Sequence, residues 1–189
     1  MRKLYKYLFF HLLFALCYSQ ASATHIVGGE LNYRHLGGNL YKITLTIYRD
    51  TKCVSDPNDS TQVVQFDRIA RIGVFDANNI LIDSLFLNRP PEQIITPTTG
   101  DPCLSLPTDG ICYQVATYEG TKILDLNLYP GGFQLAYQRC CRNYSIANLQ
   151  NISPTPPPVV GATFYARIPG KSIVSVNSNP IFKNWAPTF

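Results

Sequence analysis

The stretch LYKITLTIYRD, residues 40–50, decides the fold. Successive side chains of an extended chain point to opposite faces, so Tyr41, Ile43, Leu45 and Ile47 share one face while Lys42, Thr44, Thr46 and Tyr48 share the other. β-Branched and aromatic residues fill six of the eleven positions, which suits a pleated strand and disfavours a helix. The reading is a strand with one face in a core and one face in water. Just upstream, ELNYRHL at 30–36 alternates in the same way, and Gly37-Gly38-Asn39 between the two runs supplies residues that tolerate positive φ. Together they predict a β-hairpin.

Outward from this hairpin the same grammar repeats. Thr51 to Gln65 is polar and carries Asp56-Pro57-Asn58-Asp59-Ser60, a loop; Ala70 to Phe75 and Ile80 to Leu87 then form a second hairpin across Asp76-Ala77-Asn78-Asn79. From Asn88 to Gly110 five prolines (Pro90, Pro91, Pro97, Pro102, Pro107) remove donors and fix φ, so no continuous strand or helix fits there. A third hairpin is expected from Cys112 to Tyr118 and Thr121 to Leu128 across Glu119-Gly120, followed by a strand from Phe133 to Cys141. Ser153 to Pro158 is a short polyproline-like spacer. Val160 to Ile168 is a last clear strand, Ile173 to Val176 a weaker one, and 178–189 an extended tail or linker.

No window shows a 3.6-residue apolar period. About eight short strands in an all-β chain indicate an antiparallel β-sandwich, immunoglobulin-like or jelly-roll-like, with few or no helices. The chain has 189 residues, 46% hydrophobic and 15% charged. That is too apolar for wholesale disorder and too short for several domains, and at this size about 70% of the unfolded surface is buried on folding.

The first residues set the compartment. Arg2, Lys3 and Lys6 precede a largely apolar run from Tyr7 to Cys17, and Ala21-Ser22-Ala23 supplies a small-x-small cleavage site. Residues 1–23 therefore read as a signal peptide, and 24–189 as a single mature domain starting at Thr24. The apolar run is about half the roughly 20 residues that a spanning helix needs, so no membrane span is expected. Leu16 is bulkier than a lipidation signal tolerates before Cys17. Without its three leader cations the chain falls from a formal charge of +4 to +1, which leaves no basic footprint for nucleic acid.

Cleavage leaves Cys53, Cys103, Cys112, Cys140 and Cys141. In an exported chain these are disulfide candidates, enough for two bridges and one leftover thiol. Cys103 and Cys112 flank a turn-prone segment and suit a local bridge, with Cys53 then joining Cys140 or Cys141. No C-x-x-C spacing is present for a zinc ribbon or thioredoxin-type pair. Catalysis finds little to work with. The mature chain offers only His25 and His35, and no G-x-S-x-G, P-loop or H-E-x-x-H occurs. The chain reads as a non-enzyme without cofactor. For metals, Asp56, Asn58 and Asp59 are the calcium candidates, but the sixth loop position is Thr61 where an EF-hand needs Gly. Asn58, Asn143 and Asn151 begin glycosylation-type triplets. Tyr33, Arg34, Tyr48, Arg49, Tyr137, Arg139, Arg142 and Tyr144 form a Tyr/Arg set at strand ends of the kind enriched in binding surfaces.

Several unusual blocks add a resemblance. These are ATHIVGGELNY at 23–33, YKITLTIYRD at 41–50, IGVFD at 72–76, DPC at 101–103, YQRCCRN at 137–143 and NSNPIF at 177–182. With them the mature chain resembles the amino-terminal domain of gliding-motility-associated surface proteins of Bacteroidota, which end in a type B sorting domain for type IX secretion. The resemblance implies a β-rich, cell-surface or secreted module. Its partners would be downstream repeats of the same kind of protein or other surface components. It also implies a cysteine at the position of His35, which would account for the odd count here, and further repeats beyond the position of Phe189, so that the chain would be a truncated copy or a short exported piece. The expected function is adhesion or surface structure. A carbohydrate-binding module and a structural spacer without ligand are the alternatives, with a glycan or protein ligand in the first two cases.

Overall fold

A computed structural model describes residues 26–52, 66–95, 111–139, 161–173 and 177–180. Eight strands follow one another: β1 (Ile26–Gly37), β2 (Leu40–Lys52), β3 (Ile69–Asp76), β4 (Leu81–Asn88), β5 (Gln93–Ile95), β6 (Ile111–Ile123), β7 (Gly132–Arg139) and β8 (Ala162–Pro169). They form two four-stranded antiparallel sheets, in the orders β1-β2-β6-β5 and β4-β3-β7-β8. Over the described residues the protein is an all-β sandwich. Its strand order is the A-B-E-D and C′-C-F-G arrangement of immunoglobulin-type sandwiches, with β1 lying over β8 and β6 over β4.

The quoted stretch is the centre of this architecture. Tyr41, Ile43, Leu45 and Ile47 of β2 point into the core and are all but fully buried. They meet Ala70, Ile72 and Val74 of β3, Phe133, Leu135 and Tyr137 of β7, and Phe164, Ala166 and Ile168 of β8 in one apolar cluster. The opposite face of β2 is less wet than expected: Thr46 is buried there too, beside Glu30 of β1 and Thr117 of β6.

The first two predicted hairpins are present, at β1–β2 and β3–β4. In the second, Asp76 fixes the turn by accepting from the amides of Asn78 and Ile80 through its side chain, and Asn79 takes a positive φ of 65°. The third predicted hairpin is not there. β6 runs unbroken through Glu119-Gly120 and pairs with β2 from Leu40↔Ile123 to Lys52↔Ile111, while residues 124–128 turn rather than extend. The reason is packing. A Cβ on Gly120 would lie 2.4 Å from Leu87 Cδ2 in the facing sheet, so the glycine marks a close sheet-to-sheet approach rather than a turn. A three-residue strand, β5, also interrupts the proline-rich stretch, between Pro91 and Pro97.

Residues 177–180, which reach into the expected tail, lie against the free edge of β1. Asn179 donates its amide to Tyr33 O (3.0 Å) and accepts from the Tyr33 amide through Oδ1 (2.9 Å), while Ser178 Oγ accepts from the His35 amide (3.0 Å). An edge that would otherwise expose unpaired backbone groups is thereby covered over those residues.

Candidate functional site

Topology sets the two ends of the sandwich apart. At one end the connections are short: Gly38-Asn39, the Asp76–Ile80 turn, and residues 124–131, where the Leu124 amide donates to Asn39 O. From the other end leave the three longest connections, 53–68 between β2 and β3, 96–110 between β5 and β6, and 140–161 between β7 and β8. In an immunoglobulin-type sandwich these are the B–C, D–E and F–G loops, which share one end.

Between the sheets at that end sits a polar cluster. Arg49, the next inward position of β2 after Ile47, is only 5% exposed. Its Nε donates to Gln114 Oε1 of β6 (2.6 Å), its Nη2 to Glu92 Oε2 (3.1 Å), and its guanidinium lies 4.5 Å from the centre of the Phe66 ring. Burial lowers the Arg49 pKa and Glu92 partly offsets that, because an opposite charge favours the ionised form. Arg89 bridges the same carboxylate (3.7 Å) and donates to Phe66 O (3.2 Å). Across the gap, Asp67 pairs with Arg139 of β7 (3.3 Å) and accepts from the Tyr137 hydroxyl, while its backbone oxygen accepts from Tyr118 (2.7 Å). Burial first, then Asp67, pushes the Tyr118 hydroxyl up to about 12 and the Tyr137 hydroxyl higher still. Every one of these groups is engaged by another. Chemically the cluster is a hydrogen-bonded plug that lets the core end, at the ends of the strands from which the three long connections leave, without stranding a charge.

The plug redistributes the expected Tyr/Arg contact set. Tyr33, Arg49 and Tyr137 are buried, which corrects their reading as surface contacts: each has the core-facing parity of its strand, beside Leu31, Ile47 and Leu135 respectively. Arg139 is engaged by Asp67. Tyr48 is half-buried and Arg34 exposed, both on the outer face of the β1-β2-β6-β5 sheet. Arg142 and Tyr144 lie outside the described residues. So do the leader, Cys53, Cys103, Cys140, Cys141 and the calcium candidates Asp56, Asn58 and Asp59, whereas Cys112 stands in β6 opposite Thr51. His35 points its Nε2 at Gly38 O (2.8 Å) and meets Tyr41 edge-on.

Phe66, Arg89, Glu92, Gln114 and Tyr118 carry no local signal that marks them as members of this cluster. Parity could have placed Tyr118 inward, but nothing local says that Asp67 meets β7 or that Glu92 meets β2. Among the described residues no group of three His, Cys, Asp or Glu side chains is placed to hold a metal ion, and no helix is long and apolar enough to cross a membrane. Searches of protein-family models, curated proteins and solved structures find no match to the chain.

Proposed function

We propose that this chain is an exported, non-enzymatic surface module that acts in adhesion or surface structure, its long connections stapled by disulfides at one end of a rigid sandwich. One observation carries the reading. The ends of β2 and β7 and the start of β6 stand together at the end from which 53–68, 96–110 and 140–161 leave, and Cys53, Cys103, Cys112, Cys140 and Cys141 all fall in those connections or in the first residues of β6. Arg139 of β7 lies near enough to Arg49 of β2 there for its charge to help lower the Arg49 pKa. Cys53 follows shortly after Arg49 along the chain, and Cys140 directly follows Arg139. Loops displayed from a fixed β-scaffold are the usual way such domains bind, and disulfides are the usual way exported domains hold long loops. The resemblance to gliding-associated surface proteins points to the same compartment and to downstream repeats or surface components as partners.

The test is cellular. An epitope inserted after Gly38, at the end remote from the long connections, should be reached by antibody or protease on intact cells or be recovered from the medium. Retention of the tagged chain in the cytoplasm with residues 1–23 still attached would contradict export.

A further inference from the structure

The two outer faces of the sandwich differ in kind. The outer face of the β1-β2-β6-β5 sheet carries Glu30, Arg34, Lys42 and Glu119, a mixed-charge surface with Lys42 and Glu119 paired at 2.7 Å. The outer face of the β4-β3-β7-β8 sheet is built otherwise. Its rows run Ser84–Gly73–Ala136–Tyr165 and Leu81–Phe75–Gln134–Arg167, with Arg71 opposite Phe86 alongside. Ser84, Gly73 and Ala136 make a low floor. A Cβ on Gly73 would meet the Phe75 ring at 2.7 Å, so that ring lies down over the glycine instead of standing away from the sheet. Tyr165 is 53% exposed, yet its hydroxyl is held by Gln134 Oε1 (2.8 Å), and Gln134 is held in turn by Asp76 O (3.0 Å) and Asn79 Oδ1 (2.8 Å) of the β3–β4 turn. Phe86, 61% exposed, carries Arg71 over its ring at 5.7 Å, with Arg71 Nε donating to Ser84 Oγ (3.3 Å). Among the described residues the outward side chains of this sheet include Arg71 and Arg167 and no carboxylate; Asp83 has the inward parity of Val74 and reaches Lys122 of β6.

We propose that this face binds an acidic polysaccharide, with sugar rings laid on Phe75 and Tyr165 and uronate carboxylates met by Arg71 and Arg167. The proposal names a ligand for the module proposed above and rests on that reading. Charge complementarity selects the ligand: a flat, carboxylate-free face with two cations calls for an anionic partner. Tyr165, its hydroxyl tied to Gln134, and the Phe75 ring beside it select a partner with flat apolar faces, since a tethered ring loses little conformational entropy on binding. The cations are sparse. Arg167 is level with Phe75, four residues along from Arg71 and two strands away, a separation of roughly 16 Å from ordinary strand spacing and rise. That fits charges borne on separate sugars of a chain better than the dense phosphates of a nucleic acid.

The experiment is affinity electrophoresis of the exported, oxidised chain through gels containing polygalacturonate, alginate, neutral dextran or single-stranded oligothymidylate, at low and high salt. The expected result is retardation by the two polyuronates, relieved by salt, with Tyr165→Ala and Arg167→Gln each weakening it about tenfold or more, as loss of a central contact does. Both positions are outward and exposed, so thermal melting should find both variants folded; Arg167→Gln alone suffices should Tyr165→Ala misfold. Retardation unchanged in both variants, retardation by dextran equal to that by polyuronates, tighter binding of oligothymidylate, or no retardation in any gel would each overturn the proposal. A chain that is exported and oxidised yet ignores all four polymers would sink this proposal and leave the surface-module reading standing, while a chain never exported would sink that reading instead.

Discussion

Tyr118 gives the sharpest stability prediction, because it is fully buried and its hydroxyl donates to Asp67 O in the plug. Burial raises its pKa from the ordinary 10.0 to about 12. In the unfolded chain the phenol ionises near 10, so between roughly pH 10 and 12 the folded state holds a proton that the unfolded state has lost. The sign follows directly. The contribution is complete below pH 10 and is lost as pH rises, by roughly 2 kcal/mol at about pH 11.5 and by close to 3 above pH 12, since a tenfold change in proton affinity between the two states is worth ~1.4 kcal/mol. Tyr137, also pushed up, adds to the same alkaline limb. The discriminating perturbation is Tyr118→Phe, which removes the titrating group and one hydrogen bond. At pH 8 the variant should be less stable by roughly 1 kcal/mol. By about pH 11.5 that gap should vanish or reverse, because only the parent loses the Tyr118 contribution. The assay is urea unfolding followed by Trp and Tyr fluorescence from pH 8 to about 11.5, with tyrosinate absorbance read in parallel. Effects of base on lysines or disulfides fall on both chains alike. A gap that stays constant across the range would refute the reasoning, since it would mean that Tyr118 ionises equally well folded and unfolded.

Three further outcomes are expected. Gly29→Ala should lower stability by roughly 1–3 kcal/mol in urea unfolding, because its methyl would sit 2.6 Å from Thr46 O and 2.8 Å from the Phe164 ring; a neutral result would contradict the close packing of β1 on β8. Asp67→Ala strips Tyr137 and Arg139 of their shared acceptor and should cost about 2 kcal/mol, discounted for the half-exposed carboxylate, with a coupling of about 1 kcal/mol to Arg139→Gln in a double-mutant cycle; strict additivity would dissolve the plug into separate contacts. Asn179→Ala should speed hydrogen exchange at the Tyr33 and His35 amides while leaving the β2–β6 ladder protected, and unchanged exchange there would show that 177–180 does not cover the edge.

How far the sequence alone reaches depends on the kind of interaction. β2 is legible because period-2 alternation is local and the whole stretch obeys it, and the β3–β4 turn because Asp76 and Asn79 do chemistry within five residues. Glu119-Gly120 misled because turn propensity is local while the cause of that glycine, Leu87 in the other sheet, is not. Tyr33, Arg49 and Tyr137 lay within reach of parity: each continues an inward row, and the habit of reading Tyr and Arg as surface residues overrode it. Buried Tyr is ordinary once its hydroxyl finds an acceptor, and buried Arg once it finds a carboxylate. Those acceptors, Asp67 and Glu92, come from segments with no periodic signal, so the plug could be half seen and not assembled. The outer-face platform was hidden for the same reason. Phe75, Gln134 and Tyr165 are unremarkable outward residues of three separate strands until the register sets them side by side.

The most direct test of the proposed module is a peptide map of the exported protein, digested after alkylation without reduction and again after reduction. Two disulfides drawn from Cys53, Cys103, Cys112, Cys140 and Cys141, one alkylated thiol, and an amino terminus at Thr24 are expected. Five alkylated thiols without reduction, or a retained leader, would contradict a stapled, exported sandwich.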